Sequence, residues 1–400
     1  MIPQPRQSVM VPERFSDLPE YAFPRLRRLL EVHAAGGEVI QMTIGEPRHG
    51  FPNWVGAVLA ENLDGFAKYP PNDGTPELLA AMSSWIASRY GVSCPPERLM
   101  ALNGTREGLF NAALALCPEA KAGKTPAVLV PNPFYQVYAV AAKSVGAEPV
   151  FVPARAETGF LPDFAAVPTE VLNRTSIVYL CSPANPQGAV ADRAYWSELL
   201  DLAERYDFRV FADECYSEIY RADPPPGGLE VADALGTNPE RVVVFHSLSK
   251  RSNMPGLRAG FVASGPEAMR EIRQLRAYAG APLPLPLQRV AERLWADEDH
   301  VSASRALYRE KFDIADRVFA GVQGCGAPDA GFFLWLPVED GEEAAVRLWR
   351  ETGVRVLPGA YLARDVDGDN PGRGYIRAAL VGPVDETERG LTRLRNCLFR

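Results

Sequence analysis

The sequence predicts an α/β protein: a large domain on a mostly parallel sheet, then a smaller α+β domain. Three observations carry this. From about residue 95 to 265, short β-branched runs alternate with helical stretches bounded by glycine or proline, the pattern of βαβ units. Beyond residue 287 the chain turns strongly helical and then into shorter strand–helix units. The length of 400 residues allows about two to three domains at roughly 150 residues each. A composition of 47% hydrophobic and 23% charged residues is that of a globular protein, not of a disordered or collagen-like chain.

The elements follow in order. Leu99–Leu102 reads as a strand, and Asn103-Gly104-Thr105 after it opens a helix from Arg106 to Leu116. Val128–Val130 lies between prolines and reads as the next strand, followed by a helix over Gln136–Val145 that Gly146 stops. Pro149–Val152, Ile177–Cys181, Arg209–Ala212, Val242–Phe245 and Ala259–Ala263 are further strands, and Asp192 N-caps a helix to Tyr206. Leu287–Ala320 contains no glycine and reads as strongly helical. Phe332–Leu336, a helix through Glu342–Thr352, and Val354–Leu357 complete the smaller unit. The expected division is an N-terminal segment packing with the small domain (1–49), a large domain (50–286) and a small domain (287–400).

Composition narrows the function. Forty-two basic against 50 acidic residues give a net charge of −8, which argues against a nucleic-acid partner. The six cysteines and four histidines are scattered without metal-ligand spacing, so neither a metal site nor a disulfide scaffold is expected. No run of about 18 apolar residues suggests a membrane span. The stretch Met1–Glu13 is polar and Pro-rich, without a signal-peptide pattern. A cytoplasmic protein is the expectation.

In open α/β sheets ligands bind outside the carboxyl ends of the strands, and four such ends carry polar residues here. Gly104-Thr105 before a helix can cup an anion, or simply cap the helix. Asn185 follows the Cys181 strand. Asp213 ends its strand, with Tyr216 three residues on. Ser247-Leu248-Ser249-Lys250 follows the Phe245 strand. Alone, Lys250 reads as a surface lysine and Asp213 as a cap. Together they are the set that pyridoxal phosphate requires: an amine for its aldehyde, a carboxylate for its pyridine nitrogen, donors for its phosphate. Tyr135 can stack on the ring.

These residues stand in motifs that resemble a known family. Ser182-Pro183-Ala184-Asn185-Pro186-Gln187-Gly188, Asp213-Glu214-Cys215-Tyr216, Ser247-Leu248-Ser249-Lys250 and Gly256-Leu257-Arg258-Ala259-Gly260 resemble the fold-type I, class I/II aminotransferases. The match runs in order from Gly45 to Arg377. Asn103–Glu107, Pro131–Tyr138, Asp213–Tyr220, Phe245–Asn253 and Pro328–Phe332 look closest to the succinyldiaminopimelate aminotransferase branch.

The resemblance implies a seven-stranded large sheet, the cofactor pyridoxal 5′-phosphate, and a homodimer with shared sites acting on an amino acid and a 2-oxo acid. It implies Lys250 as the Schiff-base lysine and proton carrier, Asp213 at the pyridine nitrogen, and Asn185 and Tyr216 at the ring oxygen. Gly104, Thr105, Arg106, Ser247, Ser249 and Arg258 would lie around the phosphate, with Tyr69 reaching the neighbouring subunit's cofactor. Arg377 would clamp the substrate carboxylate in a bidentate pair, with Gly45 leaving room and Asn185 alongside. Arg106 and Arg251 are the candidates for a distal carboxylate. Gln187 stands where the family usually has threonine, and only modest tuning is expected from it. The expected reaction moves an amino group between glutamate and N-succinyl-2-amino-6-oxopimelate. Aspartate, alanine or aromatic amino acids are the alternative substrates, and a cofactor-dependent transcription regulator is a remote one.

Overall fold

A computed structural model describes residues 13–16, 18 and 20–399; the polar stretch up to residue 12 lies outside the described residues. The strands are β1 (Ile40–Gln41), β2 (Leu99–Leu102), β3 (Ala127–Asn132), β4 (Glu148–Pro153), β5 (Thr175–Cys181), β6 (Arg209–Asp213), β7 (Val242–Ser247), β8 (Gly260–Ala263), β9 (Phe333–Pro337), β10 (Val354–Arg355), β11 (Leu357–Pro358) and β12 (Tyr375–Ala379). Seven of them form one sheet in the order β2-β8-β7-β6-β5-β3-β4. All pairings are parallel except those of β8, which runs against both β2 and β7.

The sequence dictates this layering. β2, β3, β5 and β7 are buried along their whole length, as strands covered on both faces must be. Alternate residues feed two cores. Val242 and Val244 join Leu78, Trp85, Trp196 and Trp295 on one side, while Val243 and Phe245 join Leu109, Tyr138 and Met269 on the other. β4 is one of the two edge strands and carries Pro149 and Pro153, where a missing N–H costs the sheet least.

The smaller unit has an antiparallel sheet, β11-β12-β9, and the parallel pair β1–β10. The helices Asp299–Val318, Gly341–Thr352 and Val384–Leu398 contribute to its core. Two expectations are corrected. The helical stretch Leu287–Ala320 is two helices, Leu285–Ala296 and Asp299–Val318, broken where Asp297 turns extended and its carboxylate takes the Asp299 N–H at 2.9 Å. The first packs on the large sheet's core and the second in the smaller core, so the chain crosses between them at Asp297-Glu298. The run Val354–Leu357 is likewise two short strands, because β10 pairs with β1 and β11 with β12.

Candidate active site

The polar strand ends converge on one cavity of about 460 Å³. It is lined by Thr105, Arg106, Tyr135, Asn185, Asp213, Tyr216, Ser247, Ser249, Lys250, Arg258 and Arg377, and by Gly45 from the N-terminal segment.

One end is an anion cup. Thr105 opens the helix Thr105–Leu116, and Gly104 before it has φ +89°, a backbone conformation essentially reserved for glycine. A Cβ at Gly104 would lie 2.1 Å from Arg258 Nη2, so the guanidinium covers the position a side chain would take. Arg258 is itself left-handed and donates to the Pro255 carbonyl at 2.9 Å. The Ser247 hydroxyl accepts from the Ser249 N–H at 3.1 Å, and both serines face the cavity. Helix N–H groups, hydroxyls and a guanidinium suit a phosphate.

Asp213 ends β6 with 5% of its surface exposed. Its carboxylate accepts from the Tyr138 hydroxyl at 2.7 Å and from the Cys215 N–H at 3.4 Å. Both donors are neutral, and burial pushes its pKa up. A buried carboxylate lining a cavity in this way calls for a protonated nitrogen opposite it. Lys250 donates to the Gly45 carbonyl. Burial, aided by the Arg377 charge, lowers its pKa from 10.5 to about 8. A free amine is therefore accessible near neutral pH.

Arg377 projects from β12 over the Phe333 ring, 4.1 Å from its centroid. It donates to Asn185 Oδ1 at 2.9 Å and to the Thr43 carbonyl at 2.6 Å. Its Nε is buried without a partner among the described residues. Burial lowers its pKa to about 10, so it stays charged. Asn185 also donates to the Tyr216 hydroxyl at 3.4 Å and so ties the two together. Gly45 lines the cavity beside Arg377, and its lack of a side chain also serves the packing. A Cβ there would meet Phe333 Cζ at 2.6 Å, so it makes room for the ring beneath Arg377.

The cup that Gly104 opens to Arg258, the buried Asp213 and the amine of Lys250 in one cavity fit pyridoxal 5′-phosphate.

The remaining predicted residues divide. Arg106 lines the cavity and donates to the Tyr135 hydroxyl at 2.6 Å. Tyr69 is fully exposed on the loop after the turn Leu63–Ala67 and does not line its own chain's cavity. Arg251 is corrected: it is buried away from the cavity, over the Trp295 ring at 5.1 Å, and donates to the Leu294 carbonyl at 2.6 Å and to Glu298. It is committed to closing the helix Leu285–Ala296 and cannot take a distal carboxylate. Gln187 does not line the cavity; its loop presses on Pro328, which a Cβ on Gly188 would meet at 2.4 Å. Sequence reasoning missed Tyr138, although it closes the quoted Pro131–Tyr138 motif. It also missed Cys215, whose thiol lies 3.1 Å from the Thr105 hydroxyl, and the lining residues Tyr21, Phe23 and Glu46.

Residues 37–394 match the family described as aminotransferase class I and II. The chain belongs to that family. As a class I/II aminotransferase it uses pyridoxal 5′-phosphate and has the fold-type I architecture. It is 32% identical over 396 residues to the LL-diaminopimelate aminotransferase of Dehalococcoides mccartyi, covering 96% of this chain and 98% of that protein. It is 33% identical to the enzyme of the same name from Desulforudis audaxviator, covering 97% and 98%. Among solved structures it resembles an aminotransferase from Neisseria meningitidis Z2491, with a TM-score of 0.91 and 38% identity over 96% of this chain and 98% of that one. No helix among the described residues is long and apolar enough to cross a membrane.

Proposed function

We propose that this aminotransferase moves an amino group between glutamate and N-succinyl-2-amino-6-oxopimelate, as a cytoplasmic homodimer. The observation that carries the reading is that, besides Arg258 at the anion cup, two further guanidiniums, Arg377 and Arg106, line the same cavity as the Lys250 amine. A substrate with a second carboxylate needs a second cation, because a carboxylate buried without one is costly. The cytoplasmic assignment accords with cysteines that are all free.

Bound in the cavity, the cofactor supplies an electron sink for ionising the bond between the substrate's α-carbon and its hydrogen. The chain's residues do the rest. Lys250, lowered to about 8 by burial, takes that proton as a free amine and returns it. Asp213, held by Tyr138, would keep the ring nitrogen protonated. Asn185 and Tyr216 would hydrogen-bond the ring oxygen, and Tyr135 would offer a face to the ring. Thr105, Ser247, Ser249 and Arg258 would hold the phosphate, with Tyr69 contributed by the neighbouring subunit. Arg377 fixes the α-carboxylate of both amino donor and oxo acceptor.

A second reading is an LL-diaminopimelate aminotransferase, the name its curated relatives carry. The Glu46 carboxylate at the cavity wall favours it, since a free distal ammonium would find a counter-charge there. Single-turnover rates of the glutamate-loaded enzyme with succinylated acceptor, unsuccinylated acceptor and pyruvate test the choice. Preference for the succinylated acceptor supports the first reading, and preference for the unsuccinylated one the second. Arg106→Gln should weaken the preferred acceptor by about 1.5–3 kcal/mol more than pyruvate, the worth of a charged hydrogen bond. Equal losses would confine Arg106 to holding Tyr135 or the phosphate.

A further inference from the structure

Behind the cavity, the helix Asp299–Val318 carries Ser304, Tyr308 and Lys311, a spacing that places them in one stripe. Each meets a segment of chain adjoining residues that line the cavity, though the residues it touches do not line it themselves. The Ser304 hydroxyl accepts from Asn253 Nδ2 at 3.1 Å, and the same amide donates to the Gly50 carbonyl at 3.2 Å. Tyr308 stacks on Phe332 with centroids 5.7 Å apart, and Phe332 is the ring whose centroid lies 5.4 Å from Lys250 Nζ. Lys311, wholly buried, donates to His49 Nε2 at 2.6 Å and to the Leu380 carbonyl at 3.0 Å.

Burial and the Lys311 charge hold His49 near a pKa of about 4, so the ring is neutral and its Nε2 lone pair is free to accept. Burial, with the Arg48 charge, lowers Lys311 to about 7. A buried amine is costly where an apolar side chain would fill the same space, and Lys311 is not among the residues lining the cavity. What it supplies is its hydrogen bonds. The one to His49 ends on the segment whose Gly45 carbonyl accepts from Lys250.

We propose that Lys311 is a positioning residue for Lys250: through His49 it fixes the Gly45–Gly50 segment, so that the Gly45 carbonyl holds the Lys250 amine in place. This rests on Lys250 being the amine that moves the substrate proton.

The test compares Lys311→Met, His49→Leu and His49→Gln with the wild-type holoenzyme, with Lys250→Ala as control. Lys311→Met should lower kcat for the glutamate half-reaction by about 10²-fold, the effect of a misplacement of about 1 Å. KM for glutamate should stay within about twofold, since the binding clamp is untouched. In enzyme loaded with pyridoxamine 5′-phosphate Lys250 is a free amine, and acetylation by acetic anhydride, read by peptide mass spectrometry, reports its pH midpoint. In Lys311→Met that midpoint should fall below the wild-type value, because the ammonium loses a carbonyl acceptor. His49→Leu should reproduce both effects, and His49→Gln, which keeps an acceptor, should restore both. A folded Lys311→Met with unchanged kcat overturns the proposal. So does a lowered kcat with an unchanged Lys250 midpoint, the result a purely structural lysine gives. If Lys311→Met does not fold, His49→Leu decides by the same criteria. Turnover surviving in Lys250→Ala would overturn the role of Lys250 and this proposal with it. An inactive Lys250→Ala beside an unaffected Lys311→Met overturns the proposal alone.

Discussion

Replacing Arg377 by alanine removes a cation with a countable set of donors. A guanidinium has five N–H groups. One points to Asn185 Oδ1 and one to the Thr43 carbonyl. Three remain, including the Nε–H that is buried without a partner, and two suffice for a bidentate carboxylate. Arg377→Ala leaves the substrate carboxylate in the cavity without its cation, at about 2–5 kcal/mol. With about 1.4 kcal/mol per factor of ten, kcat/KM should fall roughly 30- to 4,000-fold. The loss should be alike for glutamate and for the oxo acceptor, because both present an α-carboxylate. Arg377→Lys should recover only part of it, since an ammonium is a point charge without the fork. Steady-state kinetics with each substrate varied in turn measures this. A loss confined to one substrate would refute the common clamp, and a change under threefold for both would place the carboxylate elsewhere.

Four further outcomes are expected. Lys250→Ala should keep bound cofactor but abolish transamination. In the wild type, the single-turnover rate of the pyridoxamine form should rise with pH through a midpoint near 8, because burial has lowered the amine from 10.5 and only the uncharged form takes a proton; a midpoint near the ordinary lysine value would contradict this. Gly104→Ala forces a side chain into a glycine-only conformation against Arg258, so cofactor affinity, followed by absorbance after dialysis, should drop about tenfold or more; retention equal to wild type would mean the cup is not the phosphate site. Tyr69→Phe should lose cofactor faster on dilution, and full activity in a monomer, checked by sedimentation, would rule out a shared site.

Much of this was legible in the chain because burial writes itself into composition. A strand covered on both faces must be continuously apolar, so Ile177–Cys181 and Val242–Phe245 stood out, and the polar residue that ends each run marked the cavity. What was not legible depends on direction. Arg251 follows Lys250 directly, yet on a helical turn the next side chain points about 100° away, and it faces Trp295 rather than the cavity. Tyr138 reaches Asp213 only because β3, β5 and β6 lie side by side, a long-range fact that no local pattern states. Gly45 was recognisable as part of a motif, but the Phe333 ring it makes room for comes from the other end of the chain.

The position of β8 has a consequence for the order in which the protein can be made. β2 sits at the sheet edge with β8 as its single strand partner. While the chain emerges from the ribosome, Leu99–Leu102 has no strand to join until Gly260–Ala263 has been synthesised. The phosphate cup waits on the same event, since Gly104-Thr105 trails β2 whereas Arg258 leads into β8. A nascent chain that stops short of residue 263 would therefore expose an apolar strand beside an unfinished cup. If that cup holds the cofactor's phosphate, loading with pyridoxal 5′-phosphate would report that the large sheet is complete.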